Sequence, residues 1–291
     1  MNAKPMQAAA PDLLGQDLEM SLIGAVAPFL RSRTFVDVGA ERGGVASALI
    51  GFGLRGVLFE PLPRHFAALS RLAAQTGSSA HSFAIDERDG ERDLFVATDA
   101  AGNELDYFHS LHRLDEETRF RHSKQLRVTC RSIASLVGEG IVPDPLGVLK
   151  TDTEGNDLAV LKGMGSLRPE VVVCEYFTEG LYRGWENAQP ELAIELMSSL
   201  GYRRAVAIKR IDELEYCAAS PMGFLPRQWG NLFFFSDALF AAAQGALARF
   251  LAGVEARFIG SMQSIAADRV AKEAVIQGLL ARNRDTGQTD T

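Results

Sequence analysis

Cysteine is scarce in this sequence: 291 residues hold three, Cys130, Cys174 and Cys217. Their wide spacing makes neither a C-x-x-C metal site nor a disulfide framework, so reduced structural thiols in a cytoplasmic protein are expected. Long apolar runs are missing too, and nothing reaches the ~18–20 residues that cross a bilayer, so no membrane span is expected. Basic residues are outnumbered, 30 Lys and Arg against 37 Asp and Glu, and the net charge of −7 argues against a nucleic-acid partner. The first residues lack the basic-then-apolar order of a secretory signal, and no repeat of solenoid period is present. Also absent is the G-x-G-x-x-G turn of a dinucleotide site.

What is present centres on the stretch TFVDVGAERGGVAS, residues 34–47. Residues 34–38 are rich in β-branched and aromatic side chains, as a buried strand is. Gly39, Gly43 and Gly44 follow, and residues 45–52 take up an apolar helical pattern. A strand, a glycine turn and a helix N-terminus in succession leave free backbone N–H groups and let a ligand come close. Residues 57–59 form a second strand ending at Glu60, 21 residues after Gly39. An acid there is placed to reach the ribose hydroxyls of a nucleoside.

Along the chain, residues 1–11 read as disordered, and 12–30 as an amphipathic helix that Asp12 can cap. A helix over 63–75 and a third strand over 80–85 follow, then an Asp89-Gly90 hairpin and a returning strand at 94–97. Residues 99–127 have little periodicity and read as a functional loop carrying His109, His112 and His122. Short strands at 125–130, 147–149 and 171–174 alternate with helices. Residues 202–208 and 231–235 form an antiparallel pair at the sheet edge, and 237–280 are helical with a break near Gly260. The pattern predicts an α/β fold: a doubly wound, mostly parallel seven-stranded sheet with an antiparallel edge pair, an N-terminal helix and a C-terminal helical extension.

The order FVDVGA at 35–40, Phe59-Glu60-Pro61, Asp89-Gly90, Ser110-Leu111 and K-T-D-T-E-G at 150–155, followed by V-L-K-G at 160–163, resembles the FkbM-type S-adenosylmethionine (SAM) dependent methyltransferases. The resemblance covers residues 33–177 well and 200–236 loosely, and the chain is read as an arm and helix at 1–32, a methyltransferase domain at 33–236 and a helical extension at 237–291. The resemblance implies SAM as cofactor and a sugar, polysaccharide or natural-product hydroxyl as acceptor. Asp37, Gly39, Ala40, Glu41, Gly43, Glu60 and Pro61 are the candidates for holding SAM, with Asp86 for the adenine amine. One departure stands out: the family commonly has Asn where Glu41 stands, and a carboxylate there either repels the methionine carboxylate or receives its ammonium.

Methyl transfer is an in-line displacement, so placing the two reactants is the main task, worth ~7–11 kcal/mol in favourable cases. An alcohol acceptor also needs a base, adding ~10²–10⁴ in rate. Asp152 and Glu154, on the rim after the fourth core strand, and His109 on the loop are the candidate catalytic groups, and Asp152 also adjoins the cofactor. Ser110, His112, Glu175 and Tyr176 are candidates for the acceptor site. A divalent metal, if used, falls to Asp152 and Glu175. Partners are a small-molecule or glycan acceptor and a second copy through the C-terminal helices. The rival readings are a catalytically weak methyltransferase-like binding module in a glycan-modifying assembly and a Rossmann oxidoreductase.

Overall fold

Helix α1 (Leu18–Val26) begins where the Asp17 carboxylate accepts from the amides of Glu19 and Met20, relieving two free helical N–H groups. Asp12, the cap expected from sequence, lies outside the residues described in this computed structural model, which are 17–113, 120–181, 184–211 and 214–286. The chain then runs β1 (Thr34–Val38), α2 (Gly44–Gly51), β2 (Arg55–Phe59), α3 (Pro63–Thr76), β3 (Ser79–His81), β4 (Ala84–Ile85), β5 (Gly90–Thr98) and β6 (Arg121–Arg131). It continues through α4 (Ile133–Gly138), β7 (Val148–Thr151), α5 (Asp157–Lys162), β8 (Val171–Phe177), α6 (Pro190–Ser199), β9 (Arg204–Ile211), β10 (Leu214–Ala218), β11 (Trp229–Phe235) and α7 (Asp237–Thr286).

Eight strands form the main sheet in the order β10-β9-β11-β8-β7-β1-β2-β3. The pairings from β3 through β8 are parallel; β11 lies antiparallel between β8 and β9, and β10 hairpins back along β9. The antiparallel pair expected at the edge is therefore present, but the sheet has eight strands rather than seven. The surplus is β10, in a segment that the sequence pattern leaves as an excursion. Successive strand residues face opposite layers. Phe35, Val148, Val173 and Phe233 pack under α1, α2, α3 and α7, while Val36, Leu149, Val172 and Leu232 pack under α4, α5 and α6. Both faces are thus dry, as a parallel sheet requires.

Three expectations change. The strand expected at 80–85 breaks at Ser82–Phe83: β3 closes the main sheet and β4 joins a separate three-stranded sheet, order β4-β6-β5. The Asp89-Gly90 turn makes no hairpin, since β4 and β5 flank β6 instead of pairing, and Asp89 accepts from the amide of Ser132 at 2.7 Å. Helix α7 runs 50 residues without a break at Gly260. One interior glycine costs a helix only ~1 kcal/mol, which the surrounding helix-forming residues outweigh.

Candidate active site

At the carboxyl ends of β1, β2 and β7 opens a cavity of about 280 Å³. Its floor is the glycine turn after β1. Gly39 takes a left-handed φ of +74°, and a Cβ there would overlap the carbonyl oxygen of Asp152, so two loops approach each other more closely than any side chain permits. The Gly39 and Ala40 amides both donate to the Phe59 carbonyl, which ties this turn to the end of β2. Glu60 lines the wall: its Oε2 accepts from the Glu41 amide at 2.9 Å and its Oε1 from the Leu62 amide at 2.7 Å. Each oxygen keeps a lone pair for another donor. Burial holds the Glu60 carboxyl at about 7, above its ordinary value, against the pull of those two amides.

Beside it, β1 and β7 place Asp37 opposite Lys150. Asp37 is fully buried, neither carboxylate oxygen has a hydrogen-bond partner, and the Lys150 ammonium stands 3.6 Å away. The same ammonium donates to Asp152 at 3.2 Å. Burial works against the charge on Lys150, but Asp152, Asp37 and Glu19 together raise its pKa and keep it protonated. Asp37 is pushed up by burial, with Lys150 opposing. Glu19, on α1, is buried beneath this group with Oε1 unpartnered, and burial raises it to about 7.

Glu154, with φ of +52°, accepts from the Phe108 amide at 3.2 Å, and burial together with Asp152 lifts it to about 8. Glu175 enters from β8, raised well above the usual range by burial and by Asp152 and Glu154. Residues 106–109, beyond β5, line another side of the cavity. Asp106 receives Arg42 at 2.6 Å and Arg64 at 3.3 Å, and Tyr107 and Phe108 add aromatic surface to the lining.

Of the residues singled out from sequence, Asp37, Gly39, Ala40, Glu41, Glu60, Pro61, His109, Asp152 and Glu154 line this cavity. Others are placed elsewhere. Gly43 caps α2 and faces Leu69 and Leu72, and its neighbour Gly44 lines the cavity instead. Asp86 turns away to Arg92 at 2.8 Å and the Glu87 amide, leaving Phe83, Ala84 and Ile85 as the wall. Tyr176 is a core residue, fully buried against Phe224, because it alternates with Glu175 across the sheet.

Ser110 donates to the Glu154 carbonyl at 2.6 Å and accepts from the His112 amide, so it staples two loops. His112 bonds Asn156 at 3.0 Å and borders a second hollow with Asp86 and Arg92. His109 does not fit a general base: Nδ1 accepts from the Ala97 amide at 3.1 Å, and Nε2 lies 2.9 Å from the Leu105 carbonyl. Both nitrogens are spent on backbone, and burial lowers its pKa to about 4. Lys150, His65, Asp106 and Glu19 were not foreseen in these places. A charged residue inside the otherwise apolar run of β7 was the one available signal for Lys150, since a buried charge requires a partner.

A mostly parallel sheet covered by helices, with its cavity at the carboxyl ends of the strands, defines an α/β protein. The Methyltransferase FkbM domain matches residues 37–204, and the chain belongs to that family of methyltransferases. None of the curated proteins matches the sequence significantly.

Solved structures of similar fold include precorrin-6y C5,15-methyltransferase from Geobacter metallireducens, 12% identical over 79% of this chain and 93% of that one, TM-score 0.38. Precorrin 8W decarboxylase from Methanobacterium thermoautotrophicum is 14% identical over 79% and 96%, TM-score 0.37. WbdD is 10% identical over 77% of this chain and 41% of its own, TM-score 0.41. Likeness at this level concerns chain layout alone.

Proposed function

We propose that this methyltransferase is SAM-dependent and methylates a hydroxyl of a sugar, polysaccharide or natural-product acceptor. The observation that carries the reading is the open cavity between the Gly39 turn and Glu60. Its residues fit the adenosyl donor. Glu60 retains lone pairs for ribose hydroxyls, and Asp37 offers two oxygens without hydrogen-bond partners for the ammonium of the methionine end. Apolar Phe83, Ala84 and Ile85 suit the flat face of adenine. Bound SAM supplies a methyl group on a sulfonium, open to in-line attack by an oxygen. The chain's own work is to hold the acceptor oxygen in line and accept its proton; we assign the proton to Asp152, with Glu154, raised to about 8, beside it.

The last strand of the main sheet, antiparallel between β8 and β9, differs from the all-parallel 3-2-1-4-5-6 order of dinucleotide folds and favours this reading over an oxidoreductase. Calorimetry with SAM and then with NADH separates the two. Binding of NADH without SAM would overturn the proposal. A screen for methyl incorporation into nucleotide sugars and polysaccharide fragments tests the acceptor class.

Glu60 makes SAM binding depend on pH. Its folded pKa, about 7, lies above the ordinary 4.5, so its contribution to stability is present below 4.5 and lost as pH rises through 7. A cationic donor prefers the ionised form. SAM affinity should therefore rise as pH goes from ~6 to ~8, and Glu60→Gln should flatten the rise and weaken binding at least ~10-fold. An unaltered slope in E60Q would remove Glu60 from the cofactor site.

A further inference from the structure

We propose that Asp152, Glu154 and Glu175 hold one hard divalent cation, Mg²⁺ or Ca²⁺, beside the cavity that Asp152 and Glu154 line. One oxygen from each carboxylate lies within 4.8 Å of those from the other two. Ca²⁺ binds oxygen at ~2.3–2.6 Å, so ligands on opposite sides of it stand ~4.6–5.2 Å apart, and Mg²⁺ needs ~4.0–4.2 Å. Separations within 4.8 Å let one ion of this size touch all three carboxylates.

β7 pairs in parallel with β8, and Asp152 and Glu175 directly follow the paired Thr151 and Cys174, with Glu154 two residues further along the loop after β7. Such adjacent strand ends are rigid supports for a coordination site.

A second observation, separate from the clustering, points to a missing positive ligand. The Glu175 Oε2 is shut off from solvent and has no hydrogen-bond partner. Buried carboxylates that serve structure alone collect N–H donors; here the Glu175 side chain collects none on that oxygen.

The charge balance agrees. Asp37, Glu41, Glu60, Asp106, Asp152 and Glu154 line the cavity, and Lys150 is the one lysine or arginine among its lining residues. That ammonium is already shared between Asp37 and Asp152. A cation here offsets the remaining repulsion and leaves coordination positions open toward the cavity, where an acceptor oxygen can bind. This last role rests on the methyl-transfer reading; the cation site itself does not.

The test is calorimetry of the EDTA-stripped full chain with MgCl₂ and with CaCl₂, without SAM. One site is expected for at least one of the two salts, weakened at least ~10-fold in Glu175→Gln and in Glu154→Gln, and unchanged in Glu91→Gln, which alters an exposed acid on β5. Circular dichroism melts accompany each variant, and either Gln variant suffices if the other does not fold. No heat with either salt up to ~10 mM, above the weak end of protein calcium sites at ~1 mM, overturns the proposal. So does undiminished binding in both Gln variants. SAM binding by a wild-type protein that ignores both salts removes the cation site alone. Cation binding without SAM binding supports the site and removes the methyl-transfer reading instead.

Discussion

Replacing Gly39 by alanine is expected to abolish SAM binding, by more than ~100-fold, and to cost ~2–4 kcal/mol of stability. Two effects add. A non-glycine residue at φ +74° costs ~1–2 kcal/mol by itself. The new Cβ also overlaps the Asp152 carbonyl, which is backbone and cannot swing aside as the tip of a flexible side chain would. Either the glycine turn or the loop carrying Asp152 has to move, and displacement by ~1 Å near reacting atoms is worth ~10²-fold in rate. Gly260→Ala is the matched control: nothing lies within 4 Å of that position on α7, so it should stabilise by ~0.5–1 kcal/mol. Urea unfolding and SAM calorimetry on both variants check the contrast, and a G39A protein that binds SAM normally would sink the cradle.

Lys150→Met is expected to be the most destabilising single change at the site, by ~3–5 kcal/mol, lowering the melting temperature by ~10 °C or more. The lysine side chain is 3% exposed and stands between Asp37, at 0% exposure, and Asp152. Methionine keeps the volume and removes the one counter-charge, so Asp37 is left ionised and alone in a dry strand or must take up a proton. The double variant K150M/D37N should recover part of the loss, because it removes the stranded charge along with its partner. If K150M melts within ~2 °C of the wild type, the pair is not a buried electrostatic support.

The glycine turn and Glu60 were legible because their meaning is local. A strand, a positive-φ glycine and a helix within about fifteen residues fix the direction of the backbone whatever surrounds them. The same holds for the K-x-D-x-E-G block, whose acids fall on the rim simply because they follow a parallel strand. Asp86 and Tyr176 show the opposite case. In an extended chain one residue of offset moves a side chain to the other face. The break at Ser82–Phe83 and the alternation along β8 sent both away from the cavity while Ile85 and Glu175 took the adjoining positions. His109 has the right chemistry for a base, yet the Ala97 amide and Leu105 carbonyl that occupy its nitrogens belong to turns of β5 and its following loop, which no periodicity announces.

Sequence alone determined the alternating α/β layout, the glycine turn and the family, since each is written in spacings of a few tens of residues or fewer. Tertiary structure decided which acids meet. Asp37 and Lys150 are 113 positions apart yet neighbours in register, and Glu175 joins Asp152 and Glu154 from another strand. Whether a carboxylate is a solvated ornament or a buried charge in need of a cation depends on the water its neighbours exclude, and that exclusion exists only once the strands lie side by side.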